Sequence, residues 1–189
     1  MRYRPYLIAF FLIIVVLITL APVSGLAQSS AWPAPVQPKT GTQTQLLGTF
    51  GDWGAYSANK DGRKVCFALA KPVSSDADPA DRPRDPAYIF ISSRPAENVR
   101  NEVSIVMGFE LKPKTGAAVE IGAATFAMYT QNDGAWIRNL ADQPRMIDAM
   151  RQGGELVVKG TSESGAESTD RYSLNGLGQA LDRTAQECK

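Results

Sequence analysis

The chain has two cysteines, Cys66 and Cys188, placed near the two ends of its body, and a bond between them would force the last residues back onto a segment close to the start of the domain. That bond is expected because the first 27 residues have the make-up of an export signal. A lone pair of thiols sent to an oxidising compartment closes into one bridge. Arg2 and Arg4 precede an apolar run over 7–20 that only Thr19 interrupts. Pro22-Val23-Ser24-Gly25-Leu26-Ala27 then supplies a helix breaker and small residues, so cleavage is expected after Ala27. The apolar run is shorter than the ~20 residues that span a membrane core, which disfavours the alternative of an uncleaved anchor. The alternative to the bridge is two buried free thiols.

Histidine is absent from all 189 residues. The common serine and cysteine hydrolases need a base that titrates near neutrality, and histidine supplies it. Zinc or copper would have to be held by carboxylates and two distant cysteines, so neither metal nor cofactor is expected. Gly176-Leu177-Gly178 follows a strand and opens a helix, but the acidic residue that a dinucleotide loop needs ~20 positions later does not follow. Those glycines read as a tight strand-to-helix corner. The 20 Lys and Arg face 19 Asp and Glu; without residues 1–27 the balance is 18 against 19, a net charge of −1. Such a balance points to neither nucleic acid nor an anionic membrane as partner.

Residues 28–45 are rich in Ser, Pro, Thr and Gln and read as a flexible tether, with Trp32 its one bulky side chain. The segment 46–189 is sized for one domain. Its punctuation is that of an antiparallel β protein. Segments 46–58 and 63–71 flank Asn59-Lys60-Asp61-Gly62, whose Asp-Gly pair suits a tight hairpin. Segments 87–93 and 102–109 are strands by pattern, the second alternating Val103, Ile105 and Met107 on one face with Glu102, Ser104 and Val106 on the other. Further hairpins join 125–130 to 135–138 through Asn132-Asp133-Gly134, and 155–161 to 168–174 around Gly165. A short helix is expected after Asp142, with Pro144 in its first turn, Met146, Ile147 and Met150 on one face, and Gly153-Gly154 at its end. A second helix over about 176–187 aligns Leu177, Leu181, Thr184 and Cys188 on a buried stripe, which is the geometric reason to pair Cys188 with Cys66 in its strand. The expectation is a mainly β fold, an antiparallel sandwich or barrel-like domain with a short internal helix and a C-terminal helix.

Paired carboxylates are the catalytic apparatus that remains, since a glycoside hydrolase needs only two. Asp52, Glu102, Glu110, Glu120, Asp133 and Glu155 are candidates by type, although most acidic side chains simply face solvent. Binding is the other class. Segment 72–86 is too polar to bury and too rich in proline for an inner strand, so it reads as a long surface loop whose Arg82 and Arg84 are candidates for meeting an acidic partner. The alternative is a connection whose charges balance internally, with Asp81 and Asp85 beside the two arginines. Trp136, with Trp53, Tyr129 and Phe126, is a candidate aromatic platform for sugar or peptide, against the commoner role of strand aromatics as core.

Phe50-Gly51-Asp52-Trp53, Lys64-Val65-Cys66-Phe67-Ala68-Leu69, Tyr88-Ile89-Phe90-Ile91-Ser92, Phe126-Ala127-Met128-Tyr129 and Tyr172-Ser173-Leu174-Asn175-Gly176-Leu177 occur in this order. Together they resemble the invasion-associated locus B family of alphaproteobacterial envelope proteins, over nearly all of 47–188. The resemblance implies an exported, non-enzymatic β domain of the periplasm or cell surface, with an envelope or host-surface protein or glycan as partner and no membrane anchor once the signal is cleaved. It brings no catalytic residues. Asp52 and Trp53 are its signature, read physically as a turn-fixing carboxylate and a core plug. Many members have a cysteine where this chain has Ser57, and a second pair near Tyr129 and Ala135. The bridge is therefore argued from this chain's own residues.

Overall fold

Asp61 and Gly62 both take positive φ, 52° and 77°, and fold the chain sharply between two strands, as a tight Asp-Gly turn requires. In the computed structural model, which describes residues 43–78, 84–113 and 116–189, this hairpin is one of a series. The signal segment with Ala27, the tether up to residue 42 with Trp32, and Arg82 lie outside the described residues.

The strands are β1 (Gln43–Phe50), β2 (Trp53–Lys60), β3 (Arg63–Ala70), β4 (Ser74–Asp78), β5 (Tyr88–Arg94), β6 (Val99–Val106), β7 (Ala117–Ile121), β8 (Ala124–Gln131), β9 (Gly134–Ile137), β10 (Glu155–Thr161) and β11 (Glu167–Ser173). They form one sheet in the order β1-β2-β3-β5-β6-β9-β8-β7-β10-β11-β4. Every pairing is antiparallel, and the sheet is open, with β1 and β4 as its edges, rather than closed into a barrel. One buried cluster nevertheless takes Trp53, Ile89, Val103 and Phe126 from one arm, β1 to β8 in that order, and Val119, Leu156 and Tyr172 from the other, β7, β10, β11 and β4. The sheet must therefore curl so that both arms enclose one core, the solution a β domain of this size uses to bury one face of each strand.

Two helices complete that core. Helix α1 (Gln143–Gln152) buries Met146, Ile147 and Met150, with Pro144 in its first turn and Gly153 after its last residue. Helix α2 (Leu177–Glu187) buries Leu177, Ala180, Leu181 and Thr184 and lies against β1, β2 and β3. The residues beneath it are small: Ala55 and Ser57 on β2, and Cys66, Ala68 and Ala70 on β3. Their size lets the helix approach the sheet closely, and it inverts the usual strand pattern, because the larger Val65, Phe67 and Leu69 of β3 then face outward. Cys66 and Cys188 are bonded, with their Cα atoms 5.9 Å apart.

Three expectations need correction. Segment 46–58 is not one arm of a hairpin: it breaks at Gly51-Asp52 into β1 and β2, and β1 starts at Gln43, inside the segment expected as tether. Gly51 has φ +53°, and a side chain there would press on the Asn175 carbonyl, so the turn needs glycine. Segment 72–86 is not wholly a loop, since Ser74–Asp78 pairs with β11 as an edge strand, a place that polar residues between prolines tolerate. Strand β7 was not expected: its alternation of Val119 and Ile121 with Glu120 is short and follows Gly116, Ala117 and Ala118, and its place is fixed by β8 and β10 on either side.

Candidate functional site

Strand alternation sorts the sequence candidates by face. Trp53 is fully buried and donates from Nε1 to the Ser173 carbonyl at 2.9 Å, joining the start of β2 to the end of β11. This is the expected core plug. Asp52 is exposed; its backbone N–H, rather than its carboxylate, makes the tie, donating to the Asn175 carbonyl at 3.1 Å. Gly176, at φ +88°, sits so close to the Phe50 carbonyl that any side chain would collide with it. The Phe50-Gly51-Asp52-Trp53 and Asn175-Gly176 motifs are thus two turns locked together.

Arg84 is not free to meet an acidic partner. Its Nη1 and Nη2 donate to the two carboxylate oxygens of the fully buried Asp170 at 3.0 and 2.8 Å, and Nη1 also donates to Ser168 Oγ at 3.0 Å. The guanidinium lies over the Phe109 ring, 5.6 Å from its centroid. Beside them the Tyr172 hydroxyl is buried without a hydrogen-bond partner among the described residues. Burial, reinforced by the Asp170 charge, pushes its pKa above the usual phenol range.

The six candidate carboxylates are dispersed. Glu102 is held by Arg94, Glu120 by Lys159 and Glu155 by Arg171, while Asp52 and Asp133 stand at turns. Glu110 lines a cavity of about 210 Å3 with Glu163, Glu167, Phe109 and Arg84. Among the described residues no group of three or more His, Cys, Asp or Glu is placed to hold a metal ion, and no helix is long and apolar enough to cross a membrane. The Ser-x-x-Lys spacing of serine-lysine nucleophiles occurs at Ser57 to Lys60. On strand β2 it points the two side chains to opposite faces, with Ser57 buried directly opposite Cys66 and Lys60 exposed.

The proposed platform divides. Phe126 is core, as Trp53 is, whereas Trp136 and Tyr129 stand on the outer face as a stacked pair with centroids 5.5 Å apart. They end a longer row that the sequence reading did not find. Leu69, Phe90, Ser104, Trp136 and Tyr129 follow one another across β3, β5, β6, β9 and β8 as register partners. Beside them Leu46, Tyr56 and Phe67 are partners across β1, β2 and β3, with Tyr56 and Phe67 stacked at 5.2 Å and Phe90 and Tyr88 continuing the cluster at 6.0 Å. Room for the rings comes from Gly54 and Gly134: an added side chain at either would strike the ring of Tyr56 or Trp136. At ~4.8 Å per strand the seven-strand row is roughly 29 Å wide. The Arg94–Glu102 ion pair and Lys71, over the Tyr88 ring, border this row, while the outer face of the other arm carries the Lys159–Glu120 and Arg171–Glu155 ion pairs. The signal in the sequence is the size inversion of β3, where small and large residues alternate with the small ones facing inward.

The sequence model of the invasion associated locus B (IalB) protein matches residues 56–185. No curated protein and no solved structure matches the chain. The matched span runs from the Tyr56 of the aromatic row through the Asn175-Gly176 turn and nearly to the end of α2, and the chain belongs to the invasion associated locus B family.

Proposed function

We propose that this protein is exported, matures outside the cytosol and acts there without catalysis, by holding an envelope or host-surface partner on the aromatic row that crosses the outer face of β1, β2, β3, β5, β6, β9 and β8. One observation carries the reading: a row of aromatic and aliphatic side chains, broken only by Ser104 and carrying no charge from Leu69 to Tyr129, lies on the outer face of the sheet with Tyr129 45% exposed. Soluble domains seldom expose so broad an apolar patch unless something docks on it, and tyrosine and tryptophan suit a surface that is wet when free and dry when bound. The disulfide and the family support export.

The experiment is capture from envelope extract by the tagged chain, comparing wild type with Tyr129→Ser/Trp136→Ser and with a control that swaps Lys159 and Glu120. At least tenfold weaker capture by the aromatic variant alone, with its thermal transition kept, is the expected result. Equal capture by all three would reject the face. A second reading, a carboxylate hydrolase of carbohydrate, is favoured by Glu110, Glu163 and Glu167 around one cavity. Sugar release from oligosaccharides that Glu110→Gln abolishes would put it in place of the first.

A further inference from the structure

An open sheet has two free edges, each a row of backbone N–H and C=O groups able to pair with another strand. Here the two edges are built differently. Strand β4 is five residues long and carries Asp76 and Asp78, with Glu167 opposite Asp78 on β11, so its edge is acidic and repels a copy of itself. Strand β1 is eight residues long, with no charge and no proline from Gln43 to Phe50. Gln43, Thr44, Gln45 and Leu46 are all exposed, and β1 pairs only with β2 among the described residues.

We infer that the β1 edge pairs with the same edge of a second copy, antiparallel across a two-fold axis, over Gln43–Leu46. Three observations select that occupant. Charge is the first: β1 against β1 brings no like charges together, whereas β4 against β4 does. Closure is the second. Joining β1 to the β4 of another copy would leave a free edge at each end and grow a filament, while β1 on β1 uses both neutral edges and stops at two. The third is the row of apolar side chains, which ends at this edge on Leu46, 54% exposed beside Tyr56 with no strand beyond it among the described residues. The partner's β1 supplies the missing neighbour, and the two outer faces become one. The register shift between Leu46 and Gly48 turns the rest of the strand away, so the ladder is short and the dimer dissociates on dilution. The inference rests on the edge rather than on the partner-binding reading.

Sedimentation of the disulfide-bonded full chain over a micromolar to millimolar series tests it. Wild type should shift from monomer to dimer. Leu46→Lys and Leu46→Glu should each remain monomeric with an unchanged thermal transition, and an equimolar mixture of the two should recover the dimer. Hydrogen exchange at the Gln43–Leu46 amides should slow as the wild-type concentration rises. Wild type that stays monomeric across the series, a Lys variant that still dimerises, or variants that fail to associate when mixed overturns the pairing. A monomer that still captures its partner through Trp136 and Tyr129 would remove the dimer and leave the proposed function standing.

Discussion

Arg84 shows how far a side chain's role depends on a residue the local sequence does not contain. Its neighbours in sequence, Pro83 and Asp85, suggest an exposed basic residue in a polar loop. The deciding partner is Asp170, 86 residues away and fully buried. A buried ion pair adds little over apolar side chains of the same size, because desolvation offsets most of the attraction, but an uncompensated buried charge is costly. Arg84→Ala should therefore lose about 3–5 kcal/mol in urea unfolding. The double change Arg84→Met/Asp170→Leu should recover most of that loss. A partner-binding arginine would give neither result, since removing it would leave stability unchanged. Trp53 was legible as core because a large aromatic in an alternating segment has few other uses; Ser57 opposite Cys66 was not, because register cannot be read along one strand.

Helix α2 is the element whose packing was most legible, since its buried stripe and its terminal cysteine both follow from helical spacing. What spacing could not show is its second fastening. Lys64 of β3 donates from Nζ to the Glu187 carboxylate at 2.6 Å and to the Glu187 carbonyl at 3.1 Å, and Arg183 adds a bond at 3.2 Å. The Lys64 hydrogen bond, followed by that of Arg183, holds the Glu187 carboxyl below its usual range. A carboxylate so depressed in the folded state contributes stability that is present above its unfolded pKa, ~4.3, and lost as the pH falls through the folded value. Cys188→Ser removes the bridge that closes 122 residues and should lower the melting temperature by roughly 10–20 °C, from ~5 kcal/mol in the chain-entropy account. In that background the midpoint should fall further below pH ~4, and Lys64→Ala should flatten the fall. An unchanged melting temperature in Cys188→Ser would mean that packing alone seats the helix. By contrast, β4 was missed because it has no apolar alternation, and β7 because its alternation is only five residues long and two of them are alanine; a neighbouring strand offers each its ladder.

At the scale of the molecule, the β class and the two helices could be read from period and turn residues, but the strand order could not. β9 pairs with β6 on the side away from β8, and β4 crosses to the far edge to pair with β11; both are contacts between segments distant in sequence. The outer aromatic row stayed hidden for the same reason, since Leu69, Phe90, Trp136 and Tyr129 become neighbours only once that order is known. The order also poses a question of cooperativity, because an open sheet with two arms can unfold in two parts. Here the arms share one core, and the turns at Gly51 and Gly176 interlock where Trp53 reaches Ser173. Trp53→Ala removes the largest side chain of that junction and should cost about 3–5 kcal/mol. If the core is one unit, calorimetry will show a single transition at a lower temperature, with calorimetric and van't Hoff enthalpies still equal. If the arm of β7, β10, β11 and β4 instead kept a transition of its own near the wild-type temperature, each arm would hold a separate core, and the shared cluster would be two clusters in contact.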